Sequence, residues 1–561
     1  MKINHLFHTM RILYLFLSLF FFQSLYAQKG ILVEYQRSSN NKVMESQDPT
    51  LVYANAEQTV ITSRKIMSGE AKMPYEIFVI KRPSNAYYKM TRVNAMKQIG
   101  TIDSNAINKQ NLEITKETKK ILGYTCYRAK TSVNSNSIDI WYTTELKVKG
   151  GPSDLGQNLG FVLEVVRNGN SAVTASKIEK LKEWPTSLNL PQSLVYVDDL
   201  TYKDELWKSR FTQVPVFKNE KISFSDDSKS DSILRFANGT VIVKKVKIPK
   251  INPGQTVFVQ LTEKSKGDAY DRTGSVFIIP QDQQLSFLDG MQKGMNTLPF
   301  YDNGNGKKYQ GVIRTAIYSP ILELMRFFTP FGVSQFNYLK LKGKTWQDSV
   351  LYRQDISELA GAISDQEVYV GAFIGNYDKN GHEISLELTV HPGFDRSQSL
   401  KKLLPIFNTT NVMEMGGQEY GTMFNKDQGL VVTFELKEDA ENVQLRYVTT
   451  GHGGWGNGDE FVPKTNRIFL NEVPLFSFTP WRNDCGSYRL SNPASGNFAN
   501  GLSSSDLSRS NWCPGTVTYP IFIDIGKLKA GKHTVRVHIP QGESEGTSFS
   551  SWNVSGVLLY D

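Results

Sequence analysis

The stretch NVQLRYVTTGHGGWGNGDEFVPKTNRIFLNEVPLF, residues 442–476, has two runs of alternating polar and apolar residues around a glycine-rich centre. Alternation with a period of two is typical of half-buried strands, so residues 442–450 and 466–476 are predicted to be strands. The centre, GHGGWGNGDEF at residues 451–461, holds five glycines, a histidine, a tryptophan and two acids. Glycine-rich segments are most often turns or linkers, but loops between packed strands commonly carry binding residues. We therefore interpret this centre as a loop that brings side chains to a site.

Similar short alternating runs recur along the rest of the chain and predict an all-β protein. A chain of 561 residues exceeds what one hydrophobic core supports, so we expect about three domains. We assign an N-terminal β-rich domain to residues 28–200, and a β-sandwich or jelly roll each to residues 212–393 and 394–561. Between them, IEKLKEWPTSLNLPQSL (178–194) contains two prolines and marks a junction, and LTYKDELWKSRF (200–211) predicts a short helix.

The composition is that of an ordinary globular protein, with 11% aromatic and 21% charged residues. The net charge of +9 is spread along the chain. The densest basic run, VIVKKVKIPK at residues 241–250, alternates as the exposed face of a strand does. The sequence has no motif that reads DNA or RNA, so we do not expect nucleic acid as a partner.

The first 27 residues have the three parts of a secretory signal peptide. The basic start MKINHLFHTMR is followed by the apolar run ILYLFLSLFFF and by QSLYAQKG, where Ala27 is the small residue before the cleavage site. An uncleaved membrane anchor would need a longer apolar span, and no later segment is long and apolar enough to cross a bilayer. We expect an exported protein, secreted or periplasmic, that is monomeric and has no stable insertion in a membrane.

The three cysteines agree with export. Cys485 and Cys513 lie in one segment, and an oxidising compartment would allow a disulfide between them. In the chain-entropy model a bridge over such a short loop stabilises the fold by about 3 kcal/mol. Cys126, in GYTCYRA, is predicted to be a small buried residue of a strand. No spacing of cysteine or histidine suggests a metal site, and we expect no cofactor.

Two acidic segments are candidates for chemistry. KGDAYDRTGSVFII, residues 266–279, places Asp271 and Arg272 at the entry to an apolar strand, and the glycine-rich loop ends with Asp459 and Glu460. A carboxylate beside an arginine is held ionised and in a fixed orientation, which suits a group that holds or deprotonates water. From composition alone, an exposed ion pair worth about 0–1 kcal/mol and a pair of solvated loop acids are the simpler interpretations.

The loop aromatics point to a sugar ligand. Trp455 and Trp512 lie in segments rich in glycine and proline, and an exposed ring there can stack on the apolar face of a sugar. Arg509, in SRSNWCPG at residues 508–515, adds a planar donor nearby. His452 could be a base or a ligand, although a single loop histidine more often has a structural role. Together with export and the acids, these residues predict a carbohydrate site, and they leave glycosidase, amidase and lectin as alternatives.

Three motifs, in order, resemble those of the peptide-N-glycosidase F (PNGase F) family of exported bacterial amidases. They are GDAYDRTGSVFII (267–279), GGWGNGDEFVPKTNRIFLN (453–471) and SRSNWCPG, with RFFTPF (326–331) as a weaker fourth. The resemblance covers about residues 212–561 and implies two adjacent eight-stranded antiparallel jelly rolls. It also implies hydrolysis of the amide bond between asparagine and the first N-acetylglucosamine (GlcNAc) of an N-glycan. The substrates would be N-glycosylated proteins or peptides, the products the glycan and aspartate, and no metal would be required.

The resemblance assigns roles to single residues. Asp271 matches the family's principal catalytic acid, which acts on the amide through water, and Glu460 matches the second carboxylate across the cleft. Arg272 would hydrogen-bond the inner sugar or the linkage. The full set of substrate-binding residues implied by the resemblance is Arg272, Arg509, Trp455, Tyr270, Phe461, Trp512 and Phe373.

The sequence departs from the family pattern in places. Gly371 stands where the family has a third acid, and Phe373 where it has a tryptophan, which bears on glycan preference more than on activity. The bridge between Cys485 and Cys513 is retained. The chain resembles the longer, second branch of the family, which has an extra N-terminal domain, and residues 28–200 resemble GLPGLI-type β-rich domains.

Two other functions are compatible with the sequence. One is a non-catalytic glycan-binding protein of the cell surface that has lost activity together with the missing acid. The other is an endo-glycosidase that uses the same acids to cleave the chitobiose core, in which case the separation of the two carboxyls would determine the stereochemistry. Of the three, only the amidase converts asparagine to aspartate.

Overall fold

The computed structural model describes residues 30–191, 193–225, 230, 232–393, 399–453, 458–493, 503–544 and 548–561. The chain divides into two compact units between Arg210 and Phe211. The predicted signal peptide, residues 1–27, lies outside the described residues. Within those residues no helix has the length and hydropathy needed to cross a membrane.

The first unit is built on one sheet of thirteen strands, and the predicted alternation of buried and partly exposed side chains is clear from Ile31 to Tyr35. Its order is β13-β7-β6-β5-β4-β3-β1-β12-β11-β10-β9-β8, with β2 paired to β1. The predicted helix near residue 200 forms because the side chain of Asp198 caps it by accepting from the backbone N–H groups of Leu200 and Thr201. Cys126 is buried in β9, as predicted. The elements are β1 Ile31–Ser39, β2 Lys42–Met44, β3 Thr50–Ala54, β4 Gln58–Ser63, α1 Arg64–Ser68, β5 Tyr75–Lys81, β6 Ala86–Arg92, β7 Gln98–Asp103, β8 Glu113–Ile121, β9 Tyr124–Val133, β10 Asn136–Thr143, β11 Phe161–Arg167, β12 Ser171–Lys180, β13 Val195–Tyr196 and α2 Asp199–Lys208.

The second unit contains two β-sandwiches. The elements of its first half are β14 Thr212–Ile222, β15 Leu234–Phe236, β16 Val241–Lys247, β17 Thr256–Ser265, β18 Thr273–Ile279, α3 Phe287–Lys293, β19 Phe300–Tyr301, β20 Tyr309–Gln310, β21 Leu322–Phe328, α4 Val333–Phe336, β22 Val350–Asp355, α5 Ala360–Ile363, β23 Glu367–Ile374 and β24 His382–His391. Those of its second half are β25 Lys402–Asn408, β26 Leu430–Leu436, β27 Ala440–His452, β28 Asn466–Leu470, β29 Val473–Phe478, β30 Val517–Thr518, β31 Ile521–Leu528, β32 Gly531–His538 and β33 Ser551–Tyr560.

The pairing of these strands confirms the predicted antiparallel sandwiches. The first packs the sheet β14-β24-β17-β22 against the sheet β15-β16-β23-β18-β21-β30. The second packs β25-β33-β27-β31 against β26-β32-β28-β29 and has the predicted eight strands, whereas the first has ten, one of which is β30. Strand β30 comes from the C-terminal half of the chain but pairs with β21 of the first sandwich, Phe327 opposite Val517. The two sandwiches are therefore joined through a shared sheet.

Strand β18 fixes the position of the loop that precedes it. Its apolar run is buried on both faces, with Val276 and Ile278 against the facing sheet and Phe277 in a cluster with Phe287 of α3. A strand covered on both sides reads as a continuous hydrophobic run rather than as an alternation. Because β18 lies between β21 and β23, the loop that ends at Arg272 is held at the edge of a rigid core.

A buried ion pair connects the two sandwiches. Arg326 of β21 donates from Nε and Nη2 to the two carboxylate oxygens of Glu323, at 3.0 and 2.7 Å. The same guanidinium donates to Thr410 and Thr450 and to the carbonyl of Asn553, which all belong to the second sandwich. A buried charge is tolerated only when it is paired and hydrogen-bonded, so this arginine keeps the sandwiches in one relative position.

Candidate active site

Asp271 lies on the loop between β17 and β18. Two hydrogen bonds tie this loop to Thr329, the residue after the end of β21. The N–H of Arg272 donates to Thr329 Oγ1 at 2.8 Å, and the N–H of Thr329 donates to the carbonyl of Arg272 at 2.9 Å. Side chains on a loop that is fixed in this way have defined directions, which a catalytic group requires. The Asp271 carboxylate is mostly shielded from solvent and points toward the second sandwich.

Glu460 lies near the end of the glycine-rich segment 451–461, in the loop between β27 and β28. Its neighbour Asp459 is fully buried and accepts hydrogen bonds from Trp552 Nε1 at 2.7 Å and from the N–H of Gly542 at 3.0 Å. Burial raises the pKa of Asp459, while the bond from Trp552 opposes the rise. The interpretation of this pair as solvated loop acids is therefore wrong for Asp459, which anchors the loop and leaves the next carboxyl directed at the site.

Arg509 brings the two candidate acids together. The residue is 1% exposed, and the single nitrogen Nη1 donates to Asp271 Oδ2 at 2.8 Å and to Glu460 Oε1 at 2.5 Å. Its Nη2 donates to the carbonyl of Ser504 at 2.7 Å. The three side chains come from three separate segments of the chain. The guanidinium of Arg509 thus holds the two carboxyl groups close together, because each accepts a hydrogen bond from the same nitrogen.

Two predicted aromatic residues pack on this arginine. The Arg509 Cζ lies 4.3 Å from the centre of the Trp512 ring and 5.1 Å from that of Phe461. Trp512 is only 4% exposed, stacks on Phe328 at 4.3 Å and donates from Nε1 to the carbonyl of Gly451 at 3.0 Å. The expectation of an exposed stacking platform at Trp512 is not met, because its faces are used to hold Arg509.

The charges at the site are unbalanced. Two acids share one guanidinium, so keeping both ionised leaves an excess negative charge in a shielded place. Burial raises the pKa of Glu460 to about 7, with Arg509 opposing the rise and Asp271 adding to it. The shielded surroundings therefore favour the protonated form of Glu460 more than water does.

Asp271 and Arg272 are adjacent in sequence but do not pair with each other. Arg272 turns to Asp268 and donates from Nε at 2.6 Å and from Nη2 at 2.9 Å. Its Cζ lies 5.3 Å from the ring of Tyr270 and 5.5 Å from that of Tyr377. These two tyrosines are 55% and 54% exposed, so the arginine stands between two open aromatic faces beside Asp271.

The structure adds residues that the sequence did not reveal. The Tyr377 hydroxyl donates to Glu414, which also accepts from Asn411 Nδ2 at 3.3 Å. Burial, and then hydrogen bonding to Glu414, raise the pKa of Tyr420. Tyr377 comes shortly after β23, the strand that contains Phe373, whereas Glu414 lies in a separate loop. Only the fold could place that carboxylate at the same edge as Arg272.

Other predicted site residues have different surroundings. Phe373 is 2% exposed and belongs to a core cluster with Phe277, so the structure places it in the interior rather than on a binding surface. Gly371 lies opposite Phe277 on the neighbouring strand, and a Cβ there would stand 2.3 Å from a ring atom. The core therefore requires glycine at position 371, where the family resemblance has an acidic residue. Trp455 lies outside the described residues.

His452 has a structural environment. Its Nε2 is 2.8 Å from Thr450 Oγ1, and its ring lies 5.6 Å from that of Trp512. Burial, followed by the charges of Arg326 and Arg509, lowers the pKa of His452 to about 3. A histidine whose pKa lies this far below neutrality is a weak proton acceptor in the physiological range.

The predicted disulfide between Cys485 and Cys513 is present. It closes the segment that contains Arg509, because the two cysteines are separated by 28 positions and Arg509 lies between them. In the part of the chain that the structure describes, no group of three or more histidine, cysteine or acidic side chains could hold a metal ion.

Three family models match the chain. An N-terminal domain of N-glycanase peptide matches residues 33–204. The N-terminal part of peptide-N-glycosidase F matches residues 213–390, and its C-terminal part matches residues 419–559. No curated protein matches the sequence significantly.

Solved structures are similar over nearly the whole length. Crystal structures of PNGF-II in space groups C2 and P21 are each 55% identical, with TM-scores of 0.89 and 0.90. They match 95% of this chain and 98% and 99% of their own chains. PNGase F, a glycosylasparaginase from Flavobacterium meningosepticum, is 14% identical over 63% of this chain and 96% of its own, with a TM-score of 0.42.

Proposed function

Because this chain belongs to the peptide-N-glycosidase F family, we propose that it is an N-glycan amidase, which hydrolyses the amide bond between asparagine and the first GlcNAc of N-glycoproteins or glycopeptides. One observation supports this most strongly: Asp271 and Glu460 come from different sandwiches and meet on the guanidinium of Arg509. Water adds its oxygen to the amide carbonyl and the carbon–nitrogen bond breaks. The peptide keeps an aspartate, and the glycan leaves as a glycosylamine.

Asp271 is proposed as the base that activates the water. One of its oxygens is held by Arg509, and Oδ1 makes no hydrogen bond with any residue that the structure describes. That oxygen is available to accept a proton from a water placed against the amide carbon. Removal of the proton during attack makes water a competent nucleophile without a metal ion.

Glu460 and Arg272 are proposed to stabilise the charge that develops on the amide. Glu460, protonated below about pH 7, can donate its proton to the departing nitrogen or hydrogen-bond the oxyanion. Arg272 presents a donor from between Tyr270 and Tyr377, whose exposed rings suit the apolar faces of the linked sugars. Arg509 holds the two acids in register rather than contacting the amide.

We also propose where the protein works and how its sequence is divided. The N-terminal pattern supports export with cleavage after Ala27, and action as a secreted or periplasmic monomer. The domain assignment consists of residues 28–200 as an accessory β-rich domain and residues 212–393 and 394–561 as the two jelly rolls that together carry the site.

Mass spectrometry of a denatured N-glycoprotein tests the function. Incubation in water enriched in oxygen-18 is expected to leave aspartate with one heavy oxygen at each site and to release a glycan with an intact chitobiose core. A single GlcNAc left on asparagine would instead establish the endo-glycosidase. An unchanged glycoprotein that still binds the chain would establish the non-catalytic glycan-binding protein.

A further inference from the structure

A chain of buried charged groups lies behind Arg272. His382, the first residue of β24, is fully buried. Its Nδ1 is 2.7 Å from Glu263 Oε1 on β17, and its Nε2 is 3.1 Å from Asp268 Oδ2. An imidazole with a carboxylate on each ring nitrogen can satisfy both only as the imidazolium, which donates from both nitrogens. The histidine therefore links the core of the sheet to the loop that carries Asp271.

Asp268 connects His382 to Arg272. It accepts both bonds from the Nε and Nη2 edge of Arg272, so the plane of the guanidinium is fixed by two parallel hydrogen bonds. The remaining nitrogen, Nη1, makes no hydrogen bond with any of the described residues. The Arg272 side chain is 19% exposed, whereas that of Asp268 is 2% exposed. Arg272 is thus the partly exposed member of this pair, and its Nη1 is the donor that no described residue uses.

The four charged side chains alternate in sign, in the order Glu263, His382, Asp268 and Arg272. Burial opposes charge on His382, but its hydrogen bonds to Asp268 and Glu263 outweigh burial and raise the pKa of His382 to about 9. Burial likewise acts against the ionised Asp268, yet the bonds from His382 and Arg272 lower the pKa of Asp268 to about 2. On the Glu263 side the neighbouring titratable group is Tyr352, whose pKa burial raises, with Glu263 adding to the effect.

Such a cluster needs a reason beyond stability. Burying ion pairs costs desolvation energy, and well-packed apolar residues of similar volume usually stabilise a fold as well or better. Ionic clusters do, however, fix the direction of a side chain within narrow limits. Among these four side chains Arg272, beside Asp271, is the one with appreciable exposure to solvent.

We infer that His382 is a positioning residue for the amidase reaction: through Asp268 it fixes Arg272 so that Nη1 faces the glycan–asparagine linkage bound beside Asp271. This inference rests on the proposed function. His382 does not touch the substrate, and its effect on the reaction passes through Arg272. Replacing it should loosen the guanidinium and weaken transition-state stabilisation without removing the two acids.

A double-mutant cycle on kcat/KM tests the inference, with a defined N-glycopeptide as substrate. His382→Gln is expected to lower kcat/KM about 10- to 100-fold, since small misplacements of a catalytic donor have effects of this size. Arg272→Ala lowers it at least as much, and His382→Gln then causes no further loss in the Arg272→Ala background. Equal fold-losses in both backgrounds would overturn the inference, because a histidine that only supports the fold acts independently of Arg272.

His391→Gln is the matched control. His391 ends the same strand, but its ring stacks on Phe211 at 4.2 Å and makes no hydrogen bond with any of the four charged residues. This variant is expected to keep near wild-type kcat/KM, and the Arg272→Ala loss is expected to be unchanged in its presence. A loss as large as that of His382→Gln would assign the effect to the strand rather than to the charged chain and would overturn the inference.

Asp268→Asn serves as a second variant if His382→Gln does not fold, as judged by circular dichroism. The same absence of further loss in the Arg272→Ala background is expected. Failure of both variants to fold would show that the cluster is a folding element and would overturn the inference. A folded wild-type protein that cleaves no glycopeptide would overturn the proposed function as well, whereas active wild type with independent losses overturns the positioning role alone.

Discussion

At the scale of single residues, the site depends on two carboxyl groups that share one positive charge. Nη1 of Arg509 serves both Asp271 and Glu460, so a change at either acid alters the surroundings of the other. Burial raises the pKa of Glu460 to about 7, with Arg509 opposing the rise. A carboxyl group with a raised pKa can supply a proton near neutral pH.

Asp271→Asn should abolish most activity while preserving the fold. The amide oxygen can still accept from Arg509, but the group can no longer take a proton from water, so kcat is expected to fall about 1000-fold or more. Glycan release from a glycopeptide and a thermal melt are the two measurements. Asp282→Asn, on an exposed loop of the same sandwich, is the control and should remain active. A near-normal rate for Asp271→Asn would refute the assigned role.

Glu460 should make the free energy of unfolding depend on pH. Its folded pKa of about 7 lies above the ordinary value of 4.5, so the folded state binds this proton more tightly. The stabilising contribution is complete below pH 4.5 and is lost as the pH rises to about 7, in total about 1–3 kcal/mol. Urea unfolding of wild type and Glu460→Gln at several pH values measures it. Parallel curves for the two proteins over this window would contradict the expectation.

Gly371→Glu should not restore a missing acid. The Cβ position meets the Phe277 ring at 2.3 Å, so the longer side chain must displace a core aromatic and bury a carboxyl. We expect a loss of about 3 kcal/mol or more, seen as a lower melting temperature, and no gain in kcat/KM. Gln366→Glu, exposed just before the same strand, is the control. A stable and more active Gly371→Glu protein would contradict this reading of the core.

At the scale of elements, the segment between Cys485 and Cys513 connects stability to activity. It carries Arg509 and leads into β30, which pairs with β21 of the other sandwich. Arg509 also exchanges two backbone hydrogen bonds with Arg482, each 2.9 Å long. The disulfide, this short bridge and β30 together hold the guanidinium that the acids share.

Replacing both cysteines by alanine should therefore affect both properties. Losing a bridge over a loop of this length destabilises the fold by about 3 kcal/mol in the chain-entropy model. Because Arg509 is then less restrained, kcat/KM should fall more than for Cys126→Ala, a buried free cysteine that lies in the other unit. Chemical denaturation and glycopeptide kinetics measure the two effects. Unchanged kinetics in a destabilised double variant would separate the disulfide from the site.

The alternation of side chains was enough to predict strands, sandwiches and the loop around Glu460. It could not predict that β30 crosses to the first sandwich, because a two-residue strand has no periodic pattern to detect. Nor could it show that Trp512 packs under Arg509, since loop composition suggested exposure while its burial depends on distant residues such as Phe328. The family resemblance implied Asp271 and Glu460, but the pairing of Arg272 with Asp268 depends on how the loop folds and has no signal in the sequence.

At the scale of the whole molecule, each compact unit has hydrophobic clusters of its own. The largest cluster of the second unit runs from Val214 to Leu559 and includes residues of both sandwiches. The first unit is organised around separate clusters, one of them centred on Val33 and Phe161. Units with their own cores usually fold independently.

A fragment of residues 211–561 should accordingly fold and cleave glycopeptides, since Asp271, Glu460 and Arg509 all lie within it. We expect a single cooperative melting transition and kcat/KM on a short glycopeptide within about tenfold of the full chain. Differential scanning calorimetry and glycan release are the measurements. A soluble fragment without a cooperative transition would show that the second unit does not fold alone.

The distance in sequence between Arg509 and Asp271 determines how much of the chain must be made before the site can form. The two residues that meet on one hydrogen bond are 238 positions apart, and Glu460 lies between them in the sequence. A nascent chain that has not yet reached Arg509 lacks the cation that both acids share. We therefore expect no glycan release from such a chain.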